Sequence, residues 1–88
     1  MSDPLAALRA RFLARAAEDA AVLGDSATPD EERRIRVHRL AGAAGVFGFH
    51  ELGEQAAALD EAWQAGRSPT PAELADLVRA LSALPPLA

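Results

Sequence analysis

The tetrapeptide pattern Thr-Pro-x-Glu occurs twice, at Thr28-Pro29-Asp30-Glu31 and at Thr70-Pro71-Ala72-Glu73. Each reads as a capping box. The threonine hydroxyl accepts from the backbone N–H three residues on, and the glutamate reaches back to the threonine N–H. Proline occupies the first helical position, where no N–H is needed. Ser2 or Asp3 ahead of Pro4 gives a third start. Gly24 and Gly66 are stops, and Gly48 bends or breaks the chain. These signals leave room for four helices, at about 4–23, 29–47, 50–65 and 71–83, with short loops and a non-helical tail from Leu84 to Ala88.

Each segment repeats its apolar residues at helical spacing. Helix one offers Leu5, Leu8, Phe12, Ala16 and Leu23. Helix two offers Val37, Leu40, Ala44 and Phe47. Helix three offers Leu52, Ala56, Leu59 and Trp63, and helix four Leu74, Leu77, Val78, Leu81 and Leu84. Four amphipathic helices on short loops predict an all-α, antiparallel up-down-up-down four-helix bundle. Residues 1–88 form one such domain, and Met1 with its early cap reads as a natural start. Arg9, Arg11 and Arg15 are expected on a solvated face, and Arg33 and Arg36 to extend from the core side of helix two toward the rim.

Composition narrows the chemistry. The formal charge of −4 argues against nucleic acid as the main partner. The longest uncharged apolar run, Ala41 to Phe49, is too short to span a bilayer. Asp3, Arg9, Arg11 and Arg15 interrupt any signal-peptide core. There is no cysteine, hence no disulfide or thiol chemistry, which is compatible with a cytoplasmic protein. Two histidines twelve positions apart do not make a metal site. No Ser or Cys stands beside a histidine for hydrolysis, and no glycine-rich phosphate loop follows a strand.

One histidine is unusually placed. At about 100° per residue, Ala41, Gly42 and Gly45 fall on the His38 side of helix two. Val37, Leu40, Ala44 and Phe47 fall opposite. His38 is therefore expected to face solvent over a surface with almost no side chains. Glycine within a helix costs roughly 1 kcal/mol relative to alanine, so two of them should be offset by a close approach. The visitor is either a neighbouring helix of the same protein or another protein descending on the imidazole.

The run His38-x-Leu40-x-Gly42-x-Ala44-Gly45-x-Phe47-Gly48-Phe49 resembles the signature of histidine phosphotransfer (HPt) domains. In its Phe-Gly-Phe ending it looks most like the phosphotransfer domain of chemotaxis histidine kinases. The match continues through Leu52 to Leu59-Asp60. The family usually has lysine where this chain has Ala41. The resemblance implies the same four-helix fold and a phosphorelay intermediate. The phosphoryl group would ride on His38 between a histidine kinase or receiver domain and a receiver aspartate. Such a protein is a covalent phosphocarrier, not an enzyme, and binds no cofactor; Mg²⁺ is expected on the receiver. By the same resemblance Asp60 is the candidate to orient the imidazole, with Gln55 second. Arg34, sharing the His38 face, and the adjacent Arg39 are candidates to neutralise the phosphoryl group. Ala41, Gly42, Gly45 and Phe49 are expected to dock the receiver. His50 is expected to be an ordinary surface histidine.

Ala41 keeps a second reading open: a pseudo-HPt adaptor that binds a receiver or kinase without phosphotransfer. A third is a helical bundle whose glycines serve dimerisation, although a monomer is expected.

Overall fold

A computed structural model describes residues 3–85. Helix α1 spans Pro4–Leu23, α2 Asp30–Ala43, α3 His50–Gln64 and α4 Pro71–Ser82, with a 3₁₀ turn at Ala44–Phe47 between α2 and α3. Among the described residues there is no strand. Each helix packs on its chain neighbours, and α4 returns onto α1 to close the ring. The pairings run in opposite order along adjacent helices. Asp19 meets Arg36 whereas Phe12 meets Phe47; Trp63 meets Asp30, and Asp60 meets His38. The α1–α2 and α2–α3 pairs are therefore antiparallel. Ser2 as an alternative cap and the tail residues Pro86 to Ala88 lie outside the described residues.

The core is built from the expected stripes. Phe12, Ala16 and Leu23 of α1 meet Val37, Leu40 and Ala44, with Leu52, Ala56 and Leu59 of α3 and Leu77 and Leu81 of α4. Phe47, Trp63, Leu74, Val78 and Leu84 are half-buried against this cluster. Leu5 and Leu8 depart from expectation and are exposed. At 20 residues, α1 is the longest of the described helices, and its first turns line an open groove with Val46 and Phe47. Asp19, which no apolar periodicity predicts, is buried.

The two Thr-Pro-x-Glu segments behave differently. At Thr70 the box closes in full: Thr70 Oγ1 accepts from Glu73 N at 3.2 Å and Glu73 Oε1 accepts from Thr70 N at 3.0 Å. At Thr28 it does not form. The Thr28 hydroxyl donates instead to the Val22 carbonyl at 2.7 Å, tying the loop to the end of α1. Pro29 becomes the N-cap without a side-chain bond. The acidic run Asp30, Glu31 and Glu32 still complements the helix dipole.

Helix two was expected to reach Phe47, but α geometry stops at Ala43 and tightens into the 3₁₀ turn. Gly48, at φ +88°, reverses the chain, and Phe49 N donates to the Ala44 carbonyl at 3.0 Å. That six-to-one bond is a Schellman-type ending. Gly66, at φ +85°, ends α3 in the same conformation. Ala65 and Ala83, expected as last helical residues, are the C-caps instead.

Candidate functional site

His38 stands on the outer face of α2, opposite Val37 and Leu40, with 71% of its side chain exposed. Its Nδ1 lies 3.0 Å from Oδ2 of Asp60 on α3, a carboxylate only 13% exposed. A carboxylate accepts, so Nδ1 carries the proton and donates. The ring is thereby held in the tautomer whose Nε2 lone pair points away from Asp60. Gln64 Nε2 donates to the same Asp60 oxygen at 2.9 Å. The imidazole is anchored through one nitrogen by a carboxylate that is itself anchored.

The surface around the ring is bare. A Cβ built on Gly42 meets nothing within 4 Å. Among the described residues no helix packs over Gly42, which removes that internal explanation for the glycine. At Gly45 a Cβ would stand 3.6 Å from His50 Nδ1, in ordinary contact. The close helix approach is at Gly53 instead, where a Cβ would sit 3.5 Å from Gly45 N and 3.6 Å from the Ala44 Cβ. Ala41 is half-buried against the core.

The other candidates scatter. Arg34 forms a two-pronged pair with Glu31, Nη2 to Oε1 at 2.7 Å and Nε to Oε2 at 3.1 Å. The hydrogen bonds from Arg34 hold the Glu31 carboxyl below its usual range. Glu31 in turn raises the Arg34 guanidinium, with a smaller contribution from the Asp60 charge. Arg34 thus sits in the field of the Asp60 carboxylate while bonded elsewhere. Arg39 turns to α1, its Nη2 3.4 Å from Asp19 Oδ1. Arg36, expected at the rim, points its Nη1 onto the same buried oxygen at 2.8 Å. That bond raises the Arg36 guanidinium above its ordinary value, against the opposing effect of burial.

Gln55 is not brought to His38; it lines the groove between α3 and α4. Asp60 is five residues further along, about 140° around the helix, so one helix cannot present both to His38. Gln64, about 40° from Asp60 on the wheel, is the residue the sequence reading passed over. Its spacing of four from Asp60 was the available signal. Phe49 stacks on Phe12, centroids 5.6 Å apart and planes at 14°, with the Arg9 guanidinium 5.1 Å over its ring. Both of these contacts are with α1, and Phe49 also lines the groove between α3 and α4. Among the described residues no three His, Cys, Asp or Glu side chains cluster to hold a metal, and no helix is long and apolar enough to cross a membrane.

A neutral imidazole, held by one nitrogen and open at the other over a surface of small residues, can attack phosphorus and admit a bulky partner. A comparison with curated proteins finds no match, and neither does one with solved structures. A family model does match: the Hpt domain, over residues 7–85, nearly the whole chain. The chain belongs to the Hpt domain family.

Proposed function

We propose that this protein carries a phosphoryl group on Nε2 of His38 and passes it to an aspartate of a receiver domain. Membership of the Hpt family supports histidine phosphotransfer within two-component signalling in general. The residue-level reading rests on one observation: His38 is tethered through Nδ1 to Asp60 while the ring stays open over Gly42.

The transfer balances without moving a proton. As Nε2 attacks, the N–P bond forms and the donor's bond to phosphorus breaks, its electrons leaving with the donor. The ring becomes an N-phosphorylated cation that keeps its Nδ1 proton and still donates it to the Asp60 carboxylate, whose charge stabilises it. On the way out the P–N bond breaks, a P–O bond forms on the receiver's aspartate, and the neutral imidazole returns. The receiver brings its own Mg²⁺ and acidic groups, so this chain supplies access, tautomer and charge. Arg34 is the cation placed to answer the phosphoryl oxygens, exchanging Glu31 for them, since both are acceptors of the same two-pronged geometry. Arg39, engaged with Asp19, is the weaker candidate. The protein acts as a cytoplasmic monomer in this scheme.

The test is phosphotransfer from a panel of phosphorylated kinases and receiver domains, with His38→Gln alongside. Acid-labile, base-stable label that vanishes in His38→Gln is the expected result. Receiver binding with no label from any donor would instead favour the adaptor reading. Ala41, half-buried where the family carries lysine, is the observation behind that alternative. Gain of transfer in Ala41→Lys would then show which element the natural surface lacks.

A further inference from the structure

The nine basic residues of this chain are all arginine. A cation beside His38 can therefore come only from an arginine. On α2, Arg36 and Arg39 turn to Asp19, and Arg33 donates to the Asp25 carbonyl. Arg34 is the remaining arginine of that helix. It lies four residues before His38, about 40° from it on the wheel, and Glu31 lies seven before, about 20° from it. The three form one stripe, with the guanidinium between the carboxylate and the imidazole.

Direction along the helix matters here. A helical side chain covers the turn on the N-terminal side of its own Cα. His38 therefore leans over the turn that carries Arg34, and Arg34 leans toward Glu31, where hydrogen bonds of 2.7 and 3.1 Å hold it. Glu31 raises the Arg34 guanidinium most, and the Asp60 charge adds to it, so Arg34 already feels the carboxylate that holds the imidazole. Of the two side chains, 48% of Arg34 and 67% of Glu31 is exposed. A pair so open to water is weak and is exchanged at small cost. Glu31 itself stands about 10 Å up the helix axis from His38, a separation at which its own charge is largely screened in about 0.1 M salt.

We propose that Glu31 sets how readily His38 gives up its phosphoryl group, by competing with that group for Arg34. This rests on the carrier reading and adds to it a control on the transfer equilibrium. When the phosphoryl group arrives on Nε2, Arg34 leaves Glu31 for the phosphoryl oxygens. When an aspartate oxygen of the receiver attacks, the P–O bond forms and the P–N bond breaks, its electron pair returning to Nε2. Arg34 then goes back to Glu31, and re-forming that pair favours the step out of His38. An arginine with no competitor would hold the phosphoryl group more tightly and release it less. Glu31 is a positioning residue, since it acts on the phosphoryl group through Arg34.

The experiment labels His38 with phosphoramidate, a small donor that needs no docking, in a His50→Gln background so that one phosphohistidine is read. Phosphorus-31 NMR titration of that signal gives the proton affinity of the phosphoryl group, which a nearby cation lowers. Glu31→Gln should lower this affinity about two- to fivefold, the range of an exposed ion pair, and Arg34→Gln should raise it. Added to Arg34→Gln, Glu31→Gln should change little, because no guanidinium is left to release. Glu32→Gln, which removes a neighbouring carboxylate paired with Arg36, should leave the titration unchanged, and circular dichroism checks the fold of each variant. With the fastest receiver of the panel above, label at equilibrium should move toward His38 in Glu31→Gln by the same factor. An unchanged titration in Glu31→Gln, or an equal shift in Glu32→Gln, overturns the proposal. So does an equal shift in the Arg34→Gln background, since Glu31 would then act by its own charge. If no kinase or receiver labels His38, the carrier reading fails separately, and the titration, which needs no partner, still decides whether Glu31 competes for Arg34. No label from phosphoramidate overturns both.

Discussion

Helix α2 meets a carboxylate on each of its neighbours, Asp19 on α1 and Asp60 on α3, and it treats these two oppositely. Toward α1, Arg36 and Arg39 converge on Asp19, which is 1% exposed. Toward α3, His38 gives a single hydrogen bond to Asp60 at the surface and keeps most of its ring in solvent. A buried carboxylate stripped of one partner is an uncompensated charge in a poor dielectric, so the Asp19 contact locks the helix in place. A pair with one partner open to water exchanges protein for water at little net gain. What Asp60 sets is orientation and tautomer, and the ring remains free for a partner. The difference teaches that burial decides whether an ion pair holds the structure or readies a group for chemistry.

The sharpest way to break this contrast is to remove each carboxylate. Asp19→Ala should destabilise the fold by about 3 kcal/mol, at the lower end for a broken buried pair because Arg39 still reaches solvent. Urea denaturation reads this, and a loss under about 1 kcal/mol would show that water already serves Asp19. Asp60→Ala should do the converse. Unfolding should shift by less than about 1 kcal/mol, while transfer through His38 slows on the order of 10- to 100-fold, as when an orienting carboxylate behind a histidine is lost. Nitrogen-15 NMR of the imidazole should show the Nδ1–H tautomer losing its dominance. Equal damage to stability and transfer would erase the distinction.

Gln64→Ala sharpens it further. It leaves both charges in place and removes one bond to Asp60, so transfer should slow only a few-fold, with the tautomer shifted less than in Asp60→Ala. Gly42→Ala probes the bare surface itself. The space above is open, so the change should raise stability by up to about 1 kcal/mol through helix propensity. Lost transfer in the more stable protein would place the partner directly over Gly42.

The smallest effect concerns the α4 cap. The Glu73 carboxyl is held below its ordinary value of 4.5, first by the Thr70 backbone N–H and then by Arg67. A depressed folded value means that the contribution is present above about pH 4.5 and is lost as pH falls through that folded value. The melting temperature should therefore drop slightly between pH 5 and pH 3, and Glu73→Gln should flatten the drop without touching transfer.

Much of this was legible in the residues. The glycine stops and apolar stripes located four helices, and the wheel placed His38 on the outer face with the core behind it. The pairing of His38 with Asp60 was anticipated from the family resemblance rather than from spacing, since a contact between residues 22 apart depends on how two helices align. Gln55 failed and Gln64 was passed over because rotation about α3 decides which polar residue faces α2. Thr28 failed as a cap because its side chain is held against the end of α1, donating to the Val22 carbonyl, and accepts from no N–H of α2. Asp19 was invisible because its burial depends on two arginines arriving from another helix.

By itself, then, the sequence determined which segments are helical, which face of each is apolar, and that one histidine stands over small residues. These follow from local propensity and periodicity, which need no distant partner. Only the tertiary structure decided which carboxylate holds the imidazole and where Arg34 and Arg39 turn. Those outcomes depend on the rotation and register of one helix against another, which are set by packing the whole core at once.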